Sequence, residues 1–126
     1  VHRTGPGPSV GPSLADPRTG EILRTVVRMD AWRSLVDYNI YAGMLPAAGP
    51  QGLGLSAEQF TMWRRRQHAA HEIGHTLGFP HNYIAHAQGR TSVMDYPFPL
   101  ISVNAKGELD LSKAYAPAGG AWDTLT

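Results

Sequence analysis

A chain of 126 residues with 42% hydrophobic side chains has material for one domain around a single modest core. Its formal net charge of +1 gives no electrostatic reason to hold nucleic acid, and the absence of cysteine excludes disulfides, thiolate metal ligands and a Cys nucleophile together. No apolar run approaches the roughly 18 residues that a bilayer span requires, so membrane insertion is not expected either.

Residues 1–13 are mostly Gly, Pro and Ser and predict loop or a short edge strand. Asp16-Pro17-Arg18-Thr19-Gly20 then precedes a β-branched run, which predicts a turn joining a short strand near Gly11–Ala15 to a longer one near Glu21–Met29. Asp30–Tyr41 is ambiguous between helix and strand. Gly43–Leu55, with Pro46 and Pro50, predicts a loop. Ser56-Ala57-Glu58-Gln59 fits a capping box, with Ser56 as N-cap and Gln59 at N3, and opens a helix from Ala57 to about Leu77. On a helical wheel Met62, Trp63, Ala69, Ala70, Ile73 and Leu77 share one arc, the expected core stripe, with His71 and His75 on a neighbouring face. The basic run Arg64-Arg65-Arg66 is expected on a solvated face. Gly78 stops the helix and Pro80 prevents its resumption. Residues 90–111 predict turns and short extended pieces, and the tail is rich in Gly and Ala.

Inside that helix, His71-Glu72-Ile73-Gly74-His75 places two imidazoles one turn apart, so both can reach one ion from the same side. Imidazole suits zinc, and a catalytic zinc takes three protein ligands and keeps one position open. Glu72 lies about 100° round the helix from His71, where a carboxylate reaches a metal-bound water without ligating the ion. The pattern continues, because Gly78 and His81 complete H-E-x-x-H-x-x-G-x-x-H. A glycine there can take positive φ and return the chain so that His81 meets the metal. With six His, four Glu and fourteen Gly in 126 residues, chance assembly of all five fixed positions has odds of about one in ten thousand or less.

This extended motif resembles the signature of the metzincin clan of zinc metallopeptidases. Ser92-Val93-Met94-Asp95-Tyr96, with Met94 thirteen residues beyond His81, resembles the clan's Met-turn. The resemblance implies that Met94 is the hydrophobic floor beneath the imidazoles, a packing residue rather than a ligand. It also implies that Tyr96 can ligate the metal and swing away to hydrogen-bond the reaction intermediate, as in the astacin-like and serralysin-like branches, the alternative being a Tyr packed beside the site. Asn82 departs from the Glu, Pro, Asp or Ser that follows the third His in the best-known branches, and leaves the branch open. The segments GPSLADPRTGEIL, HEIGHTLG with His81-Asn82, and VMDYP are similar to a group of large bacterial zinc-dependent metalloproteases. That similarity covers most of residues 11–123, including Leu109–Tyr115 and Gly119–Asp123.

The fold so implied is α+β and metzincin-like, with a small mixed or antiparallel sheet, a long active-site helix and an irregular C-terminal subdomain. Because the N-terminal strands, first helix and C-terminal helix of a full metzincin domain are missing, a truncated or minimal version is expected. One catalytic domain spans 1–126, divided into an N-terminal subdomain (1–78) with the edge hairpin and active-site helix, and a C-terminal subdomain (79–126) with the Met-turn.

The implied activity is that of a zinc-dependent endopeptidase acting on a peptide or protein substrate. A metal-bound water, deprotonated by Glu72, attacks the scissile carbonyl, and Tyr96 helps zinc to stabilise the oxyanion. His71, His75 and His81 are the expected zinc ligands, with Tyr96 as an additional one. The Gly11–Ala15 strand is the edge to which an extended peptide adds, and Pro97–Ile101 borders the pocket for the residue after the cut bond. Asp95, Asp123 and Asn82 are candidates to orient the ligand imidazoles. His68 reads as solvated, and His2 and His86 as surface. The resemblance implies export from a bacterium, to the periplasm or the medium. Two alternatives share the ligands: a zinc-stabilised binding module or inactive fragment of a larger protease, and a zinc hydrolase acting on something other than peptides. An intact Glu72 beside an open coordination position favours catalysis, since a purely structural site has no use for a base.

Overall fold

A computed structural model of the chain describes residues 7–49, 52–116 and 119–124. His2 and Pro50 lie outside the described residues. The first turn is organised by Asp16, whose carboxylate accepts the Arg18 backbone N–H at 2.8 Å and the Arg18 guanidinium at 3.0 Å. Gly20 closes it at φ +76°, and the Asp16 N–H donates to Glu21 O at 2.8 Å. Around this turn the expected hairpin forms. Strand β1 (Ser13–Ala15) pairs antiparallel with β2 (Ile22–Thr25), Ser13 facing Thr25 and Leu14 facing Arg24. Both strands are shorter than the sequence predicts, although a bridge between Val10 and Arg28 carries the pairing outward.

The ambiguous stretch is helical. Helix α1 (Trp32–Met44) begins where Asp30 Oδ1 accepts the Trp32 N–H at 3.0 Å, and it buries Asp37 and Tyr41, one turn apart. The loop expected from Gly43 therefore starts later, because α1 reaches Met44 and a 3-10 turn follows at Leu45–Ala47.

Helix α2 (Ala57–Thr76) opens on the expected capping box: Ser56 Oγ accepts the Gln59 N–H at 3.1 Å, and Gln59 Oε1 accepts the Ser56 N–H at 2.9 Å. It ends where Gly78 takes φ +93°. The N–H groups of Gly78 and Phe79 then donate to the His75 and Gly74 carbonyls, both at 3.0 Å. This is a Schellman closure, which glycine makes without strain.

The core lies against the N-terminal half of α2. Phe60, fully buried, sits between Tyr41 of α1 at 5.8 Å and Tyr115 at 5.4 Å, ring centre to ring centre, with Leu53, Leu111 and Ala114 filling the remainder. The chain beyond α2 reaches this core through a second antiparallel hairpin, β3 (Ser102–Val103) with β4 (Leu109–Asp110), after which the Leu111 N–H donates to Leu53 O at 2.8 Å.

The fully buried residues of α2 are Phe60, Arg64, Gln67, His71, Glu72 and Gly74; of the apolar arc that the sequence predicts, Trp63, Ala69 and Ala70 are part-buried, Trp63 against the core, and the rest is exposed. Met62, Ile73 and Leu77 are 46%, 50% and 64% exposed. The C-terminal segment packs on the more polar side of the helix, and a two-stranded hairpin is too narrow to cover the apolar arc. Arg64 corrects the solvated basic run in the same way. It is buried, hydrogen-bonds Gln67 and stands 5.6 Å over the Tyr115 ring, while Arg65 and Arg66 stay exposed. Asp37, buried on α1 and bonded to Arg33 Nε at 3.2 Å, supplies opposite charge nearby. The architecture is the expected α+β, with two small antiparallel sheets, one long helix and an irregular C-terminal half. Among the described residues, no helix is long and apolar enough to cross a membrane.

Candidate metal centre

His71 and His75 stand one turn apart near the end of α2, and the closure at Gly78 returns His81 to them. One ring nitrogen from each lies within 4.8 Å of the other two. His75 Nε2 and His81 Nε2 are 3.0 Å apart. Two ligands on one tetrahedral zinc, each about 2.0–2.1 Å from it, sit roughly 3.3 Å from one another, so this spacing fits. The opposite nitrogens are already committed. His71 Nδ1–H donates to Val93 O at 2.7 Å and His75 Nδ1–H to Phe79 O at 2.8 Å, which leaves Nε2 of both rings as lone-pair donors. His81 Nδ1 meets the Tyr83 hydroxyl at 3.1 Å.

His71 Nε2 is buried and has no hydrogen-bond partner among the described residues. Such an orphaned lone pair costs about 1–3 kcal/mol, and a cation between the rings satisfies it. Three imidazoles and no thiolate or hard oxygen in the set suit zinc. Burial, followed by the charge of His75, holds His81 below the ordinary imidazole range. Burial likewise lowers His71, opposed by its bond to Val93.

Glu72 is buried beside this cluster, and burial raises its carboxyl above the ordinary range, against the opposing effect of His75. Its Oε1 is 3.6 Å from His68 Nε2, and its Oε2 has no partner among the described residues. His68, read from the sequence as solvated, is part-buried instead, with its ring nearly parallel to that of His71. Burial and the charge of Arg64 lower its pKa to about 4, so its ring is neutral near pH 7.

Met94 is buried against the helix. A Cβ on Gly74 would lie 2.3 Å from Met94 Sδ, which explains a glycine inside α2 despite a propensity cost of about 1 kcal/mol. The turn that carries Met94 is tied down from the far end of the chain. The Asp123 carboxylate accepts the Ser92 hydroxyl at 2.6 Å, the Val93 N–H at 2.7 Å and the Gly120 N–H at 2.7 Å. Gly120 lies flat on Thr91, whose carbonyl would sit 2.1 Å from an added Cβ. Asp123 therefore acts on His71 through Val93. Asp95 pairs with the exposed His86 at 3.2 Å, and Asn82 donates its backbone N–H to Met94 O at 3.0 Å. The three converging rings are hydrogen-bonded by Val93, Phe79 and Tyr83, not directly by Asp95, Asp123 or Asn82.

The Tyr96 hydroxyl meets His81 Nε2 at 2.8 Å, and its ring centre is 5.0 Å from that of His71. Burial, with the charges of Tyr83 and Glu72, raises its pKa, so the phenol stays protonated at neutral pH. Strand β1 runs alongside the same turns of α2. An added Cβ on Gly11 would lie 2.3 Å from Glu72 O, and Ser13 Oγ donates to His75 O at 3.4 Å. In the Pro97–Ile101 segment Phe98, Leu100 and Ile101 are exposed, and Pro97 borders a small cavity with Gln67 and Val93.

Sequence reasoning missed Tyr83, Gly74, the part-buried His68 and the two orienting carbonyls. A glycine interrupting a helical run was the one available signal, since carbonyls leave no trace in side-chain pattern. A family model described as Met-zincin matches residues 56–126, more than half of the chain. No curated protein and no solved structure matches it. The matched span opens at the α2 cap and holds all three converging histidines together with the Met94 turn, and on that match the chain belongs to the Met-zincin family.

Proposed function

We propose that the protein is a zinc-dependent endopeptidase, with His71, His75 and His81 as the metal ligands and Glu72 as the general base. The observation that carries this reading is the convergence of three imidazole nitrogens with a buried, partnerless lone pair among them. When bound, zinc supplies Lewis acidity toward a scissile carbonyl and toward water.

The chain's own residues do the rest. The free Oε2 of Glu72 accepts a proton from the attacking water and later returns it to the leaving amine. Burial makes that carboxylate a stronger base than an exposed one, which suits both halves of the transfer. Tyr96, a protonated donor within reach of the cluster, hydrogen-bonds the negative oxygen that develops on the carbonyl, and as an additional ligand it withdraws to do so. Met94 packs under the rings and keeps their spacing. An extended peptide adds to β1, which lies beside Glu72 and His75.

Glu72→Ala is the direct test. Zinc stoichiometry stays unchanged while cleavage of unfolded casein falls by about 10²–10⁴-fold, the usual worth of a positioned base. Retained cleavage removes Glu72 from the mechanism. Casein left intact by the zinc-loaded wild-type chain, in a digest that a chelator does not alter, favours the zinc-stabilised binding module instead.

A further inference from the structure

We propose that Tyr83 is a positioning residue for the metal centre: its hydroxyl oxygen accepts the Nδ1 proton of His81 and so turns Nε2 of that ring toward His71 and His75. This inference rests on the zinc reading above.

A ligating imidazole presents a lone pair on one nitrogen and carries its proton on the other, and the acceptor of that proton sets the ring's orientation. For His71 and His75 the acceptors are the backbone carbonyls of Val93 and Phe79, at 2.7 and 2.8 Å. Those two rings also stand on a helix, which limits their rotamers. His81 has neither support. It follows the closure at Gly78, lies outside any helix or strand, and is exposed. Its Nδ1 meets the Tyr83 hydroxyl at 3.1 Å.

Tyr83 is well placed for this. It opens the 3-10 turn Tyr83–Gln88, so its backbone is fixed two residues beyond the ring that it holds. Its own ring lies 5.4 Å from His81 and 6.1 Å from Tyr96, tilted 23° to the latter. The side chain therefore stands against His81, with its hydroxyl at the ring nitrogen that does not meet His75. A phenol oxygen accepts more weakly than a carbonyl, and Tyr83 is 62% exposed. The third ligand is thus the least firmly held on its Nδ1 side, and once Nε2 is given to the ion the Tyr83 hydroxyl is the group that sets how its ring is turned. Of the three orienting groups only this one is a side chain, so only this one can be removed by substitution.

Tyr83→Phe in the full chain deletes the hydroxyl and keeps the ring. Affinity for zinc and for cobalt(II), measured by chelator competition, is expected to fall 10–100-fold, the usual effect of losing such a partner, with helical circular dichroism unchanged. Ile84→Ala, at a neighbouring site 75% exposed, is the control and leaves affinity within about twofold. In zinc-loaded wild-type protein, nitrogen-15 NMR is expected to show His81 protonated at Nδ1 and shielded from exchange, and in Tyr83→Phe that shielding is lost. Equal metal affinity in Tyr83→Phe and wild type, or a freely exchanging Nδ1 proton in the wild type, overturns the inference and leaves the zinc reading standing. A wild-type chain that binds neither ion sinks both.

Discussion

Three consecutive arginines on a helix cannot share a face, because neighbouring side chains point about 100° apart. Arg64 turns inward over the Tyr115 ring while Arg65 and Arg66 face solvent. Arg64 is the one of the three that faces the core, and there the Tyr115 ring and the nearby buried carboxylate of Asp37 on α1 offset the burial of its charge. The run itself therefore says nothing about which guanidinium is buried, and the expectation of a solvated face failed at one position in three. Removing one partner from a buried charge cluster costs about 3–5 kcal/mol, whereas an exposed arginine is worth within about 0.5 kcal/mol. Arg64→Ala and Arg66→Ala, compared by urea denaturation, are expected to differ by that margin, and equal losses would mean that Asp37 is satisfied without Arg64. The convergence of His71, His75 and His81 was legible because its geometry is local: four residues make one turn, and a glycine three residues on reverses the chain.

At the level of elements, α2 was readable from end to end, since both of its boundaries are written within a few residues of themselves. Its orientation was not. Which side faces inward depends on what packs there, and the segment that packs there arrives from residues 109–115. The same dependence on distant chain governs the turn that carries Met94. Asp123 holds it through three short bonds, to Ser92, Val93 and Gly120. Asp123→Ala leaves those donors without their acceptor, and Val93 O no longer holds His71 rigidly. The expected outcome is a stability loss of at least about 3 kcal/mol, because bonds to a charged group are worth roughly 1.5–3 kcal/mol each. Metal affinity falls with it by about 10–100-fold. Asp123→Asn, which keeps one acceptor oxygen, is expected between Asp123→Ala and wild type in both titrations. Wild-type zinc binding by Asp123→Ala would show that the turn is anchored elsewhere.

For the molecule as a whole, turn chemistry was enough for the N-terminal hairpin, while the α+β architecture was implied by the metzincin resemblance. The position of the core, at one end of α2 and closed by the C-terminal segment, arises from pairings between remote parts of the chain such as Leu53 with Leu111. A ligand that binds only the folded state adds about 2.7 kcal/mol at a free concentration of one hundred times its Kd. In a domain of this size that corresponds to roughly 10 °C in Tm. Adding a chelator to the zinc-loaded protein is therefore expected to lower the melting temperature by about that amount in a thermal circular dichroism scan. An unchanged Tm would mean that the histidine cluster holds no metal in the folded state.

One helix is fastened by two different kinds of chemistry. Near its start, Phe60 is wedged among aromatic rings, and near its end three imidazoles converge to within metal-binding distance. Twenty residues make a rod about 30 Å long, and on the zinc reading an ion adds to the Met94, Val93 and Phe79 contacts that hold its far end, so its removal loosens that end alone. Deuterium uptake in the apo protein is then expected to be graded along the rod, slow over residues 60–67 and much faster over 71–76. Zinc slows only the latter group, and the gradient flattens.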